Sequence, residues 1–154
     1  MRTWIAALLA AMATIAGPAA AQDAAVSEIT ATVDRFFVGL NTNNPDAMAA
    51  EMIEQGITTI VIYGDEGERV ITRTFKDDIE NFRNNTAELN EIYWDPTIVV
   101  HRDIAIFWAP YSIDIDGKRS HCGIDSFDMV RVDGVWKISA MAYTVEPKGC
   151  PEGR

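Results

Sequence analysis

"GIDSFDMVRVDGVWKISAMAYT", residues 123–144, decides the fold. On each side of Asp133-Gly134 runs a segment in which apolar residues alternate with polar or small ones. An Asp-Gly pair between two alternating segments is the strongest short-range signal of a β-hairpin. The alternation continues upstream: Asp116-Gly117-Lys118 marks another tight turn, preceded by a long apolar run that includes "IAIFWA" at 104–109. The spacing predicts strands at about 88–101, 104–115, 119–131 and 135–146, with Pro96 interrupting the first as a bulge or edge position.

The first half of the chain has a different period. Val26, Ile29, Val33, Phe36, Phe37 and Leu40 recur at steps of three and four, which predicts an amphipathic helix over 24–40. Asn44 suits an N-cap, Pro45 the first helical position and Asp46 the helix dipole, so a short second helix is expected, stopping at Gly56. "ITTIVIY" (57–63) and "RVITRT" (69–74) flank the turn residues "GDEGE" and predict a second hairpin. Thr74 then caps a third helix with Phe75, Ile79 and Phe82 on one face. The expected class is α+β: a curved antiparallel sheet packed against three helices, with a concave space between them.

The first 21 residues carry one Arg, an apolar run from Trp4 to Ala16, a Gly17-Pro18 break and Ala19-Ala20-Ala21. That is the pattern of a signal peptide cleaved after Ala21, and the run is too short to anchor the chain in a bilayer. An exported protein, periplasmic or secreted, is expected, with one domain over 24–147 and a tail at 148–154. The formal net charge of −10 with scattered basic residues argues against nucleic acid and anionic membranes as partners. In an oxidising compartment Cys122 and Cys150 are expected to form a disulfide, the alternative being two buried free thiols. Two Cys and two His without ligand spacing give no metal site, and no cofactor motif is present.

With this order of elements and Gly134-Val135-Trp136-Lys137-Ile138 in the place of a frequent G-x-W-K-I, the chain resembles the nuclear transport factor 2-like superfamily, in its SnoaL-like and ketosteroid-isomerase-like branch. The resemblance implies a cone-shaped (cystatin-like) fold with a blind apolar pocket and dimerisation through the sheet. It implies no single activity, and no catalytic residue is carried over.

The candidate chemistry centres on "SHCGIDSF" (120–127). On a regular strand His121, Gly123, Asp125, Phe127 and Met129 share one face, while Cys122 lies on the other, which excludes a Cys–His nucleophilic pair. His121 and Asp125 share a face but stand roughly 13 Å apart, too far for a direct hydrogen bond. Asp125 among apolar neighbours would have a raised pKa suited to proton abstraction, or would instead hydrogen-bond a backbone group or an Arg. His101 is expected at a strand end. Tyr63, Trp108, Tyr111, Phe127 and Tyr143 are the candidates to line a pocket, although an aromatic residue on a sheet is first of all a large apolar body. "IAIFWA" is apolar on both faces, as expected of a strand covered by helices on one side and a second subunit on the other.

Three readings follow. The first is an exported domain binding a small, largely apolar molecule without assured catalysis. The second is a cofactor-independent isomerase, cyclase or dehydratase with Asp125 as general base, helped by His121. The third is a dimeric assembly module.

Overall fold

The structure, a computed structural model, describes residues 18–153. The elements run α1 (Pro18–Asn41), α2 (Pro45–Ala50), β1 (Met52–Gly64), β2 (Gly67–Thr74), α3 (Phe75–Arg83), β3 (Leu89–Tyr93), β4 (Thr97–His101), β5 (Ile104–Ile115), β6 (Lys118–Val132) and β7 (Val135–Val145). Most of the expected signal peptide lies outside the described residues; its last positions, Pro18–Ala21, belong to the start of α1. No described helix is long and apolar enough to cross a membrane.

All seven strands form one curved sheet in the order β2-β1-β7-β6-β5-β3, with β4 also paired to β5. The sheet was expected to be antiparallel throughout. It is mixed, because β1 lies parallel to β7 while every other pair of neighbouring strands among the described residues is antiparallel. The β1–β2 hairpin is thus joined to the β5–β6–β7 meander along β1 and β7, a long-range pairing that carries no local sequence signal.

The second helix is shorter than expected. It ends at Ala50, and β1 is already under way at Met52, paired with Ile138. The Glu51 carbonyl accepts from Ile138 N at 2.9 Å, and the Glu51 carboxylate takes two hydrogen bonds from Arg35 of α1, each 2.9 Å. Gly56 does not stop a helix; it lies in an irregular stretch of β1 where a Cβ would sit 2.1 Å from the Phe75 ring. At the other edge Asp95 takes a positive φ of 46° before Pro96, splitting the expected 88–101 strand into β3 and β4, which pair with successive parts of β5.

The core is the inner face of the sheet against α1. Phe127 of β6 packs on Phe36, Phe37 and Phe107 with ring centroids 5.6–6.1 Å apart. Trp136 of the G-x-W-K-I stretch is buried in the same core, with the Arg131 guanidinium 4.8 Å from its ring centre. Lys137 donates to the Ala50 carbonyl. That motif therefore holds the fold and does not reach the concave site.

Cys122 and Cys150 are joined by a disulfide across 28 positions. Together with the paired backbone hydrogen bonds of Cys122 and Glu146, at 2.9 and 3.2 Å, it ties the segment after β7 to β6. Replacing both cysteines by Ser should lower unfolding stability by about 2–4 kcal/mol in urea melts. An unchanged midpoint would mean that the segment is held by its hydrogen bonds alone.

Candidate functional site

Between α1, α3 and the inner face of the sheet lies a partly enclosed cavity of about 170 Å³. A cavity of about 150 Å³ is enough to accept a benzene ring. One end is apolar, with Phe36, Leu40, Met48, Met141 and Phe127. The other end receives the polar half of β6.

The alternation on β6 places Asp125, Phe127 and Met129 inward and buried, with His121 half-buried on the same face. His121, Asp125, Tyr111, Phe127 and Tyr143 all line the cavity. Trp108 and Tyr63, expected at the pocket, do not. Trp108 pairs with Ser126 and Thr97 on the outer face and is 44% exposed, one residue out of step with buried Ala109. The β5–β6 register runs without a shift through Pro110, so no bulge turns Trp108 inward. Tyr63 stands an odd number of residues beyond buried Ile60 and lines a separate surface depression with Asp65 and Lys148. His101 ends β4, the strand end expected of it, and is exposed.

The residue that sequence reasoning missed is Glu91. β3 carries Leu89, Glu91 and Tyr93 on one face, and that face turns inward. The signal was there: a charge between two apolar positions of an alternating segment. Glu91 as a whole residue is only half-buried because β3 lies at the sheet edge, yet its carboxyl turns into the cavity wall and meets that of Asp125. The backbone of Glu91 is held by Asn41, at the end of α1. Asn41 Nδ2 donates to the Glu91 carbonyl (2.8 Å), and the Glu91 N–H donates to Asn41 Oδ1 (2.7 Å). A side-chain amide thus serves as the missing neighbour of an edge strand.

Burial, then the charge of Asp125, then the hydrogen bond between them hold Glu91 well above the ordinary carboxylate range. Burial likewise pushes Asp125 up, to about 8, against a lowering effect of the Glu91 hydrogen bond. Two carboxyls can hydrogen-bond to one another only when one of them carries a proton. The carboxyls act as one pair sharing a proton. Asp125 Oδ2 is buried and accepts from no N–H or hydroxyl group among the described residues. Asp125 is thus paired neither with an Arg nor with backbone amides.

Three rings surround the pair. Tyr111 lies opposite Gly123, and its hydroxyl donates to the Thr144 carbonyl at 2.6 Å. Only a glycine permits this, since a Cβ at position 123 would stand 2.2 Å from that carbonyl. Tyr143 sits between Asp78 and the Glu91–Asp125 pair; burial, then these carboxylates, raise its pKa, so it stays protonated as a donor. The His121 ring meets Tyr111 edge to face at 5.9 Å, and its Nδ1 is 2.9 Å from Ser120 Oγ. Burial lowers the His121 pKa, leaving it neutral at pH 7. Among the described residues no group of three or more His, Cys, Asp or Glu is placed to hold a metal ion.

No protein-family model and no curated protein matches the sequence. Solved structures do match. A protein of unknown function from Mycobacterium tuberculosis superposes with a TM-score of 0.72 at 18% identity, covering 87% of this chain and 82% of that one. A nuclear transport factor 2-like protein from Cytophaga hutchinsonii gives 0.63 at 15% identity, covering 80% and 97%. A proposed scytalone dehydratase from Novosphingobium aromaticivorans gives 0.65 at 16% identity, covering 86% and 96%. The chain has the nuclear transport factor 2-like fold, also described as cystatin-like.

The carboxyl pair makes stability depend on pH. The pair holds a proton in the fold that the unfolded chain releases above about 4, so its contribution is present at low pH and lost as pH rises towards 8. The unfolding free energy from urea melts should fall between mildly acidic buffer and about pH 8, by up to ~1.4 kcal/mol per pH unit. The Glu91→Gln, Asp125→Asn double variant should be flatter over that range. A wild-type curve already flat there would mean the carboxyls are hydrated and ionised.

Proposed function

We propose that the protein binds a small, uncharged, largely apolar molecule in the conical cavity and moves a proton on it through the Glu91–Asp125 pair. The observation that carries this reading is the inward carboxyl pair of Glu91 and Asp125, which no N–H or hydroxyl group of the described residues neutralises, in the wall of a cavity of one-ring size. A base with a pKa within about one unit of neutral pH combines a usable ionised fraction with strong proton affinity.

The pair suits elimination or isomerisation without a cofactor. In a dehydration, Asp125 takes the proton from the carbon next to a carbonyl as the carbon–carbon double bond forms. Glu91 gives its proton to the departing hydroxyl, which leaves as water. The proton then passes from Asp125 back to Glu91 through their hydrogen bond, which restores the starting pair. In an isomerisation the proton taken by Asp125 returns to another carbon. Tyr143, a protonated donor at the same wall, suits the oxygen on which charge develops. Two of the structural neighbours are proposed dehydratases, a chemistry that this arrangement would serve.

Native mass spectrometry of the mature protein should find a releasable small molecule. Hydrogen–deuterium exchange at its activated carbon should then rise with pH through about 8 and fall by roughly 10²–10⁴-fold in Asp125→Asn. Binding with no exchange above the Asp125→Asn background would leave a carrier rather than an enzyme. The apolar lining favours that second reading, in which the carboxyl pair only anchors a polar group.

The outer face of the sheet supports a homodimer. Val99, Ile104, Ile106 and Trp108 are exposed at 44–61%, and Val99–Ile106 and Ile104–Val130 are direct cross-strand pairs, so they form one apolar patch. The −10 net charge makes another copy a poor electrostatic partner except across such a patch. Nucleic acid is disfavoured by the same charge. Sedimentation should show a dimer that Ile106→Lys converts to monomer; a wild-type monomer at high concentration would sink the proposal.

A further inference from the structure

The cavity has a second polar pole that the carboxyl pair does not use. Thr58 of β1, Arg73 of β2 and Asp78 of α3 line it from the side away from Glu91. The Thr74–Asp77 capping box starts α3 directly at the end of β2 and so sets Asp78 into the wall, buried. Thr58 is 1% exposed, and both Thr58 Oγ1 and Asp78 Oδ2 are without a hydrogen-bond partner among the described residues. Arg73 Nη1 stands 3.6 Å from Asp78 Oδ1, an ion pair too long to count as a hydrogen bond. A buried hydroxyl and a buried carboxylate oxygen left bare on the same cavity wall are costly unless something in the cavity engages them.

The register sets the separation of the two poles. Asp125 lies opposite Tyr143 on β7, and Thr58 lies opposite Met141 on the same strand and Arg73 on β2. Thr58 is thus two strand spacings across and two residues along from Asp125, about 12 Å, with Met141 and Phe127 forming an apolar floor between them. Allowing for the reach of the side chains, that span suits one six-membered ring with an oxygen at each end.

We infer that the ligand is an uncharged one-ring compound carrying two separated oxygen functions: a reacting group at Glu91–Asp125 and, at the opposite end, a hydroxyl held by Thr58 and Asp78. A hydroxyl matches both bare atoms at once, donating to Asp78 Oδ2 and accepting from the Thr58 hydroxyl. A carbonyl or ether could only accept, which leaves Asp78 unengaged. A ligand carboxylate would face Asp78 at one end and the carboxyl pair at the other, with Arg73 as the one lining guanidinium. The assignment of the reacting end rests on the proton-transfer reading; the selection of a hydroxyl at the far end stands separately.

Calorimetric titration of the mature protein with three probes tests this: 4-hydroxyacetophenone, 4-methoxyacetophenone and acetophenone, in mildly acidic buffer where the phenol stays neutral. The hydroxy compound should bind about tenfold more tightly than either of the others, the difference one well-placed buried hydrogen-bonding group commonly makes. Thr58→Val and Asp78→Asn should each remove that preference, with acetophenone, which lacks the hydroxyl, as the reference for each folded variant. Asp125→Asn should weaken the three probes alike and keep the preference. Equal affinities in the wild type, a preference that survives both Thr58→Val and Asp78→Asn, or no binding by any probe at millimolar concentration would each overturn the inference. Failure of the proton-transfer reading looks different: the hydroxyl preference is intact, but no exchange depends on Asp125.

Discussion

The packing of Phe127 against Phe36, Phe37 and Phe107 is the contact on which the rest of the structure depends. It seats α1 on the inner face of β5 and β6 at one end of the sheet. The sheet curves, and closure at that end leaves helix and sheet apart at the other. The cavity occupies the gap. Truncating one buried ring of such a cluster costs on the order of 3–5 kcal/mol, so the geometry of the open end is inherited from a strongly held closed end.

From that contact outward, β6 changes character in steps of two. Met129 and Phe127 are core, Asp125 is buried acid, Gly123 is a crossing point and His121 reaches the half-exposed rim. A carboxylate one step from a phenylalanine cluster is poorly solvated by design of position rather than by any special partner. What keeps it tolerable is the proton shared with Glu91. The same burial that makes the pair costly at high pH gives Asp125 a proton affinity near neutrality. Stability and the proposed chemistry are therefore drawn from one quantity with opposite preferences, as is common where a site stores strain.

Much of this was legible in the sequence, and the exceptions have physical causes. Local signals worked: the Asp133-Gly134 hairpin, the Thr74 cap and the stripe on α1 are each decided within a few residues. The shared inward face of Asp125 and Phe127 followed from period two alone. Long-range facts were not legible. The parallel pairing of β1 with β7 joins residues far apart in sequence, and no turn chemistry announces it. The end of α2 was misjudged because Met52 is taken up by Ile138 across the sheet, which overrides the local helical pattern. Glu91 escaped notice because a lone acid on an edge strand usually faces solvent; here Asn41, from a different element, holds the strand so that the acid turns inward. Trp108 was placed at the pocket by its residue type when its parity already put it opposite Tyr111.

The two tyrosines at the polar end show how one small residue decides which groups remain free for a ligand. Gly123 lets Tyr111 reach across β6 to the Thr144 carbonyl, so that hydroxyl is committed to the backbone of β7. Thr144 in turn uses its own hydroxyl to accept from Ile124 N at 2.9 Å and to donate to Glu146 at 2.8 Å, beside the bridge from Cys122 to Cys150. This chain of bonds makes the rim rigid and consumes its donors. Tyr143, one position earlier on β7, faces inward opposite Asp125 and is the phenol left between the two polar poles. A side chain added at position 123 would therefore act on the site without touching a ligand: it would displace Thr144, release Tyr111 and change which hydroxyl the carboxyl pair meets.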